Sequence, residues 1–302
     1  MDYIYLFIYS FFSFIAKMFP TAWMHRFLYA LSYIVYKLNS KHRAIITANL
    51  TLAFNHTLKA DEIKNIAIHT YYNLAQTIVG FMTRSNKSKE ELLKNIRFEN
   101  EGILLNALKN KEKIIFITSH YSNWELLPPA ISSRYNIPLV GIGRKMDSEI
   151  MDNILLKNRE KFGVEMIYRR GAIKESIKAL KAHKCLGFLV DQALGERQGG
   201  IKVNFFGKPA GHTPAASILA RNFEATMIPA YISTEDYEHY TVTFYPPIPY
   251  LKTKDKEADI LSMTQAQADI TEQVIRKNPK EWFWVHKRWK NYLPEIYKKE
   301  AS

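Results

Sequence analysis

From Lys113 to Ile232 the chain repeats one pattern, a short run rich in apolar and β-branched residues followed by a stretch with helical spacing. The runs are Lys113 to Thr118, Pro138 to Ile142, Val164 to Tyr168, Cys185 to Val190, Val203 to Phe206 and Met227 to Ile232, and helical stretches near 123–134, 147–162, 171–183 and 213–223 lie between them. Strands that alternate with helices predict an α/β fold, a mixed and largely parallel sheet flanked by helices. In such sheets ligands bind beyond the carboxyl ends of the strands, so strand-end residues are the first place to look for chemistry. Upstream, residues 60–84 read as a helix, and Ser88-Lys89-Glu90-Glu91 marks another helix start, with a Ser followed three residues later by Glu. No repeat, linker or low-complexity tract divides the chain beyond residue 40, so residues 41–302 read as one catalytic domain.

The sharpest local signal is Ile114-Ile115-Phe116-Ile117-Thr118-Ser119-His120-Tyr121-Ser122-Asn123-Trp124-Glu125, an apolar strand that delivers a histidine into a loop with a carboxylate five residues on. A neutral imidazole is a general base near pH 7, and a carboxylate on its other nitrogen fixes the tautomer and stabilises the imidazolium. His120 and Glu125 are therefore a candidate dyad, able to activate a substrate hydroxyl without a serine or cysteine nucleophile. The same spacing also fits a capping or buried-core histidine. The single cysteine, Cys185, sits in an apolar run, and no His, Cys and acid cluster has metal-ligand spacing, so neither a disulfide nor a metal is expected. Neither a Gly-x-Gly-x-x-Gly nor a Walker pattern occurs, and no nucleotide or other cofactor is expected.

The 42 Lys and Arg against 29 Asp and Glu give a net charge of +13, a field that draws acidic partners. Where the charge falls selects among them. From Tyr3 to Phe19 the chain is apolar and aromatic, broken only by Ser10, Ser13 and Lys17, and Pro20 ends the run. This reads as a membrane-anchor helix, short for a full span, that either crosses at a tilt or lies in the interface; a buried core helix is the alternative. Trp23, Phe27, Leu31, Ile34 and Leu38 follow at helical spacing, against the first helix or the bilayer. Residues 1–40 thus form an anchor segment, and Lys37, Lys41, His42 and Arg43 just after it place the catalytic domain on the cytoplasmic face. An anchored protein makes nucleic acid an unexpected partner.

Three ordered blocks carry a resemblance. Ser119-His120-Tyr121-Ser122-Asn123-Trp124-Glu125 holds a His-x4-Glu element. Asp191-Gln192 is followed by Val203-Asn204-Phe205-Phe206-Gly207-Lys208-Pro209-Ala210, and Trp282-Phe283-Trp284-Val285-His286-Lys287-Arg288-Trp289 closes the chain. Together they resemble the lipid A late acyltransferases, the lauroyl and myristoyl transferases within the His-x4-Asp/Glu glycerolipid acyltransferase superfamily. The resemblance implies an inner-membrane enzyme that takes an acyl chain from acyl carrier protein and esterifies a hydroxyl of an anionic, Kdo-bearing lipid A precursor. It makes His120 and Glu125 the catalytic pair and puts a functional arginine at Arg159.

The remaining candidates are substrate-binding ones. Asn123 would hold the loop or donate to an oxyanion. Arg144, after Gly141-Ile142-Gly143, and Arg169 with Arg170, after Val164 to Tyr168, sit at strand ends where a guanidinium suits phosphate or carboxylate. Asp191 closes the strand Cys185 to Val190, where its carboxylate would touch substrate or organise the Gly195 to Gly200 loop. The three C-terminal tryptophans, set among Lys280, Lys287, Arg288 and Lys290, read as interface packing or substrate contact, and His286 as a packed histidine. Two rival functions remain: an acyltransferase acting on a lysophospholipid or glycolipid, and a non-catalytic peripheral lipid-binding protein.

Overall fold

The computed structural model describes residues 20–143, 145–168 and 171–298, together with Leu6, Tyr9, Ser10, Ser13, Phe14 and Met18. Three helices lead into the sheet domain: α1 (Thr21–Leu38), α2 (Ser40–Ala53) and α3 (Ala60–Arg84). The alternating part then runs α4 (Lys89–Leu93), β1 (Ile96–Glu99), α5 (Glu101–Lys109), β2 (Lys113–Thr118), α6 (Leu127–Tyr135), β3 (Leu139–Gly143), α7 (Glu149–Glu160), β4 (Val164–Tyr168), α8 (Ala172–Lys181) and β5 (Cys185–Leu189). A hairpin, β6 (Ile201–Phe205) and β7 (Lys208–His212), precedes α9 (Ala215–Phe223), β8 (Ala225–Thr234), β9 (Tyr240–Phe244) and α10 (Lys256–Lys277).

Seven strands form one sheet in the order β1-β9-β8-β2-β5-β3-β4. All neighbours are parallel except β8 and β9, so the sheet is mixed and largely parallel, as the alternation predicts. The central strand shows why Lys113 to Thr118 is continuously apolar: a strand between parallel neighbours is covered on both faces. Ile114 and Phe116 enter a core shared with Leu104 of α5 and Leu127, Ala130 and Ile131 of α6. Ile115 and Ile117 point the other way, toward Leu180 of α8, Ala216 and Leu219 of α9, and Met263 of α10.

Strands β1, β7 and β9 and helices α2, α5 and α10 escape the sequence pattern. The edge strand β1 and its neighbour β9 are short and only partly buried, so they lack a continuous apolar run. The helix start at Ser88 is present: Ser88 Oγ accepts from Glu91 N at 3.2 Å and Glu91 Oε2 from Ser88 N at 2.7 Å. Thr213 lies just outside α9, its Oγ1 3.4 Å from Ala215 N.

A third core lies beyond the sheet, where Ile46 and Leu50 of α2 and Tyr71 of α3 meet the hairpin and the C-terminal segment. Trp282, Trp284 and Trp289 are each 0% exposed there, and Arg288 with them. This corrects the expectation of an interfacial or substrate-contacting tryptophan cluster. A buried indole needs an acceptor for its N–H, and Trp284 Nε1 finds Pro279 O at 2.7 Å. The Arg288 guanidinium donates to Gly211 O and lies 3.0 Å from His212 Nδ1. Gly200 and Gly211 both press on the Leu194 carbonyl; a Cβ at either would lie 2.1 and 2.3 Å from it. The glycine-containing loop is thus packed against the hairpin.

Most of the proposed anchor, Tyr3 to Phe19, lies outside the described residues. No helix among the described residues is long and apolar enough to cross a membrane. Helix α1 packs on α3 through Met24 and Leu28, which meet Tyr72. Its outer face carries Trp23, Phe27, Leu31, Ile34 and Leu38, 40 to 80% exposed. The apolar stripe read from the sequence therefore points away from the protein.

Candidate active site

Strands β2 and β5 are parallel neighbours in register from Ile115 with Leu186 to Thr118 with Leu189. Val190 N donates to Thr118 O at 3.0 Å, so the two strands end side by side. The residues they deliver, His120 and Asp191, consequently meet. His120 Nδ1 lies 2.8 Å from Asp191 Oδ1, and the His120 backbone N–H donates to Oδ2 at 3.1 Å. Trp282 Nε1 donates to the same oxygen at 2.9 Å, and His286 Nε2 stands 3.7 Å from it.

Asp191 is 1% exposed. Burial alone would push its carboxyl up, but the charge and hydrogen bond of His120, and then those of His286, hold it well below the usual carboxylate range. An ionised acceptor on Nδ1 keeps that nitrogen protonated and leaves the lone pair on Nε2. Burial lowers the His120 pKa, yet the charge of Asp191, its hydrogen bond and the more distant Glu125 together raise it above the ordinary imidazole value. The ring is walled by Trp124, Phe283 and His286, with centroids 5.2, 6.3 and 5.7 Å away.

The loop that carries His120 is fixed by the C-terminal segment. Ser122 N donates to Glu281 O at 2.7 Å and Phe283 N to His120 O at 3.0 Å, a strand-like grip on both sides of Tyr121. Within that grip Ser122 takes a left-handed conformation, φ 51°, unusual for a serine and a form of strain often held at functional sites. The same turn carries Glu125 past His120 rather than onto it.

Glu125 does not touch His120. Both its oxygens are taken by Arg159 of α7, with Nη2 2.7 Å from Oε1 and 2.8 Å from Oε2. The carboxylate on the imidazole is Asp191, which corrects the expected His120–Glu125 hydrogen bond. Arg159, in the last turn of α7, takes Glu125, whereas β5, hydrogen-bonded beside β2, delivers Asp191 to the imidazole. Asn123 is 5% exposed and its amide packs on Gly80 of α3. Arg144 and Arg169, with Arg170, lie outside the described residues.

Glu125 and Arg159 stand at the wall of a narrow cavity of about 130 Å³ between α6 and the sheet. Phe116, Trp124, Leu127, Ile131, Met166 and Phe188 line it, with Gly141, Gly143 and Gly187 leaving room on the sheet side. A Cβ at Gly143 would come within 2.9 Å of Met166 Cε. A second, open groove of about 760 Å³ lies beyond Tyr121, beside Tyr231, Tyr240 and Glu281; neither His120 nor Asp191 lines it.

His120, Asp191 and His286 place ligand atoms within 4.8 Å of one another, the one set among the described residues able to hold a metal ion. The 2.8 Å approach of Nδ1 to Oδ1 is that of a pair sharing a proton, and the chemistry of such a pair is acid–base.

The family described as bacterial lipid A biosynthesis acyltransferase matches residues 1–291. The chain belongs to that family, and so to the acyltransferases. No curated protein matches the chain. Among solved structures it is similar to the crystal structure of the 1-acyl-sn-glycerophosphate (LPA) acyltransferase PlsC from Thermotoga maritima, at 10% identity and a TM-score of 0.40, over 84% of this chain and 97% of that one.

Sequence reasoning placed His120, Asp191 and Arg159 among the candidates and missed their pairing. Trp282, expected at an interface or against substrate, instead supports Asp191, and Glu281 and Arg84 gave no sequence signal.

Proposed function

We propose that the chain transfers a fatty acyl group from an acyl carrier protein thioester to a hydroxyl of a Kdo-bearing lipid A precursor, with His120 as general base. The observation that carries this reading is the His120–Asp191 hydrogen bond at the joined ends of β2 and β5. It leaves Nε2 as the free base at the end of the sheet where ligands bind.

In this reading the acyl chain lies in the apolar cavity under α6, which brings the thioester carbonyl to its polar mouth at Glu125 and Arg159. His120 Nε2 takes the proton of the acceptor hydroxyl, whose oxygen attacks the carbonyl carbon. Arg159, oriented by Glu125, stabilises the oxyanion. The intermediate collapses with cleavage of the C–S bond, and the imidazolium returns its proton to the departing thiolate. Asp191 stays ionised throughout and supports the imidazolium, so each proton taken is given back.

The net charge of +13 suits an anionic acceptor and an acidic carrier. The exposed apolar stripe of α1, with Arg26 and Lys37 on the same helix, suits the headgroup boundary of an anionic membrane, and the proposed location is the cytoplasmic face of the inner membrane.

The test supplies purified protein with acyl carrier protein thioesters and three acceptors: a Kdo-bearing lipid A precursor, a lysophospholipid and a glycolipid. Mass spectrometry of the products should show one added acyl chain on the first. Addition to another acceptor alone would replace the proposed substrate, and addition to none would reject the transferase reading.

A further inference from the structure

Arg84 is the last residue of α3 and 2% exposed. Carbonyls on both sides of it hold α7: Asn158 Nδ2 donates to Phe81 O at 2.9 Å and Lys161 Nζ to Ser85 O at 2.8 Å. The clamp sets the guanidinium in the field of Glu125, Arg159 and Tyr240. Its Cζ lies 5.7 Å from the Phe81 ring centroid. Arg84 Nε and Nη2 find no acceptor among the described residues, and Arg159 holds both oxygens of Glu125.

Two guanidinium groups therefore face one carboxylate. Burial brings the Arg84 pKa down to about 10, with Glu125 opposing and Arg159 reinforcing the fall, so the side chain is still a cation at neutral pH. A buried charge without a hydrogen-bonded partner is costly to the folded state, and an apolar side chain of similar volume would fill the space at less expense. Packing offers this cation only the face of Phe81. The reaction offers it a role.

We propose that Arg84 is a positioning residue that gives the cluster at Glu125 a net positive charge: Glu125 cancels Arg159, and Arg84 is the cation left over beside them. The inference rests on the reading of the site given above. A paired Glu125 and Arg159 offers a forming oxyanion only a dipole. A third, buried charge behind the pair adds a field that a low-dielectric surrounding screens poorly, and it acts on the transition state more than on the uncharged thioester.

The experiment compares full-length Arg84→Met, Arg84→Lys and His120→Ala with the parent, measuring melting temperature and the kinetics of acyl transfer from carrier thioester to lipid acceptor. Arg84→Met should melt at the parent temperature or a few degrees above it, because it removes an unpaired buried charge. Its kcat should fall on the order of 10-fold or more, with KM within about threefold of the parent, and Arg84→Lys should recover most of the loss. A lowered melting temperature with activity lost equally in both variants would make Arg84 a structural residue and overturn the proposal. So would parent-like kcat in Arg84→Met. The control separates two failures: with His120→Ala inactive and Arg84→Met fully active only this inference falls, whereas an active His120→Ala removes the site reading itself.

Discussion

Glu281 offers a quantitative test of how the active-site loop is held. It is 3% exposed; Oε1 accepts from Thr234 N at 2.8 Å, while Oε2 meets no hydrogen-bond donor within reach among the described residues. Burial is the largest influence on its carboxyl and raises its pKa from 4.5 to about 7, against the Thr234 N–H. Each pH unit across that gap corresponds to 1.36 kcal/mol, so ionised Glu281 costs the folded protein about 3 kcal/mol relative to the unfolded chain. The sign follows from the raised folded pKa. The stability tied to the protonated form is fully present below about pH 4.5 and is lost as pH rises through 7. Glu281→Gln keeps an acceptor for Thr234 N and cannot ionise. It should match the parent at pH 4 and exceed it at pH 8 by about 3 kcal/mol, or about 5 °C in melting temperature for a chain of this length. Thermal melts of both proteins at half-unit steps from pH 4 to 8 decide the matter. A difference that does not grow with pH, or a variant less stable at pH 8, would refute the reasoning.

Other consequences concern the base and the membrane face. Asp191→Asn should lower turnover by on the order of 10²- to 10⁴-fold. Its residual activity should keep an acid limb at lower pH than the parent, because burial then acts on His120 without the opposing carboxylate; a limb at higher pH would contradict the assignment, as read from pH–rate profiles. Replacing Phe27 and Ile34, 54% and 51% exposed, with Glu should weaken flotation with anionic vesicles while leaving the melting temperature within about 1 °C. Salt should loosen the part of that binding due to basic residues, each contributing about 1 kcal/mol near an anionic surface. Undiminished flotation would assign membrane binding to another surface.

The sheet was legible because its central strands are covered on both faces, which forces continuous apolar runs such as Ile114 to Ile117 and Cys185 to Val190. The edge strand β1 and its neighbour β9 are only partly buried and carry no such signature. Strand-end position singled out His120 and Asp191, yet their pairing depends on β5 lying beside β2, a spatial order that sequence order does not reveal. Linear proximity favoured Glu125, and the turn through left-handed Ser122 sent it to Arg159 instead. Trp282 and Arg288 misled for a related reason: aromatic and basic residues side by side suit a surface, and only the hairpin that closes over them makes them core. Arg84, at the end of a long amphipathic helix, looks like an ordinary helix-terminal cation until α7 packs on it.

The most direct test of the central claim is the turnover of His120→Ala, measured by mass spectrometry of acylated lipid A precursor with melting temperature and vesicle binding followed in parallel. The expected result is a loss on the order of 10²- to 10⁴-fold, the usual share of a general base, in a protein that still melts cooperatively and floats with membranes. Near-parent turnover in the folded variant would contradict the assignment of His120 as the base.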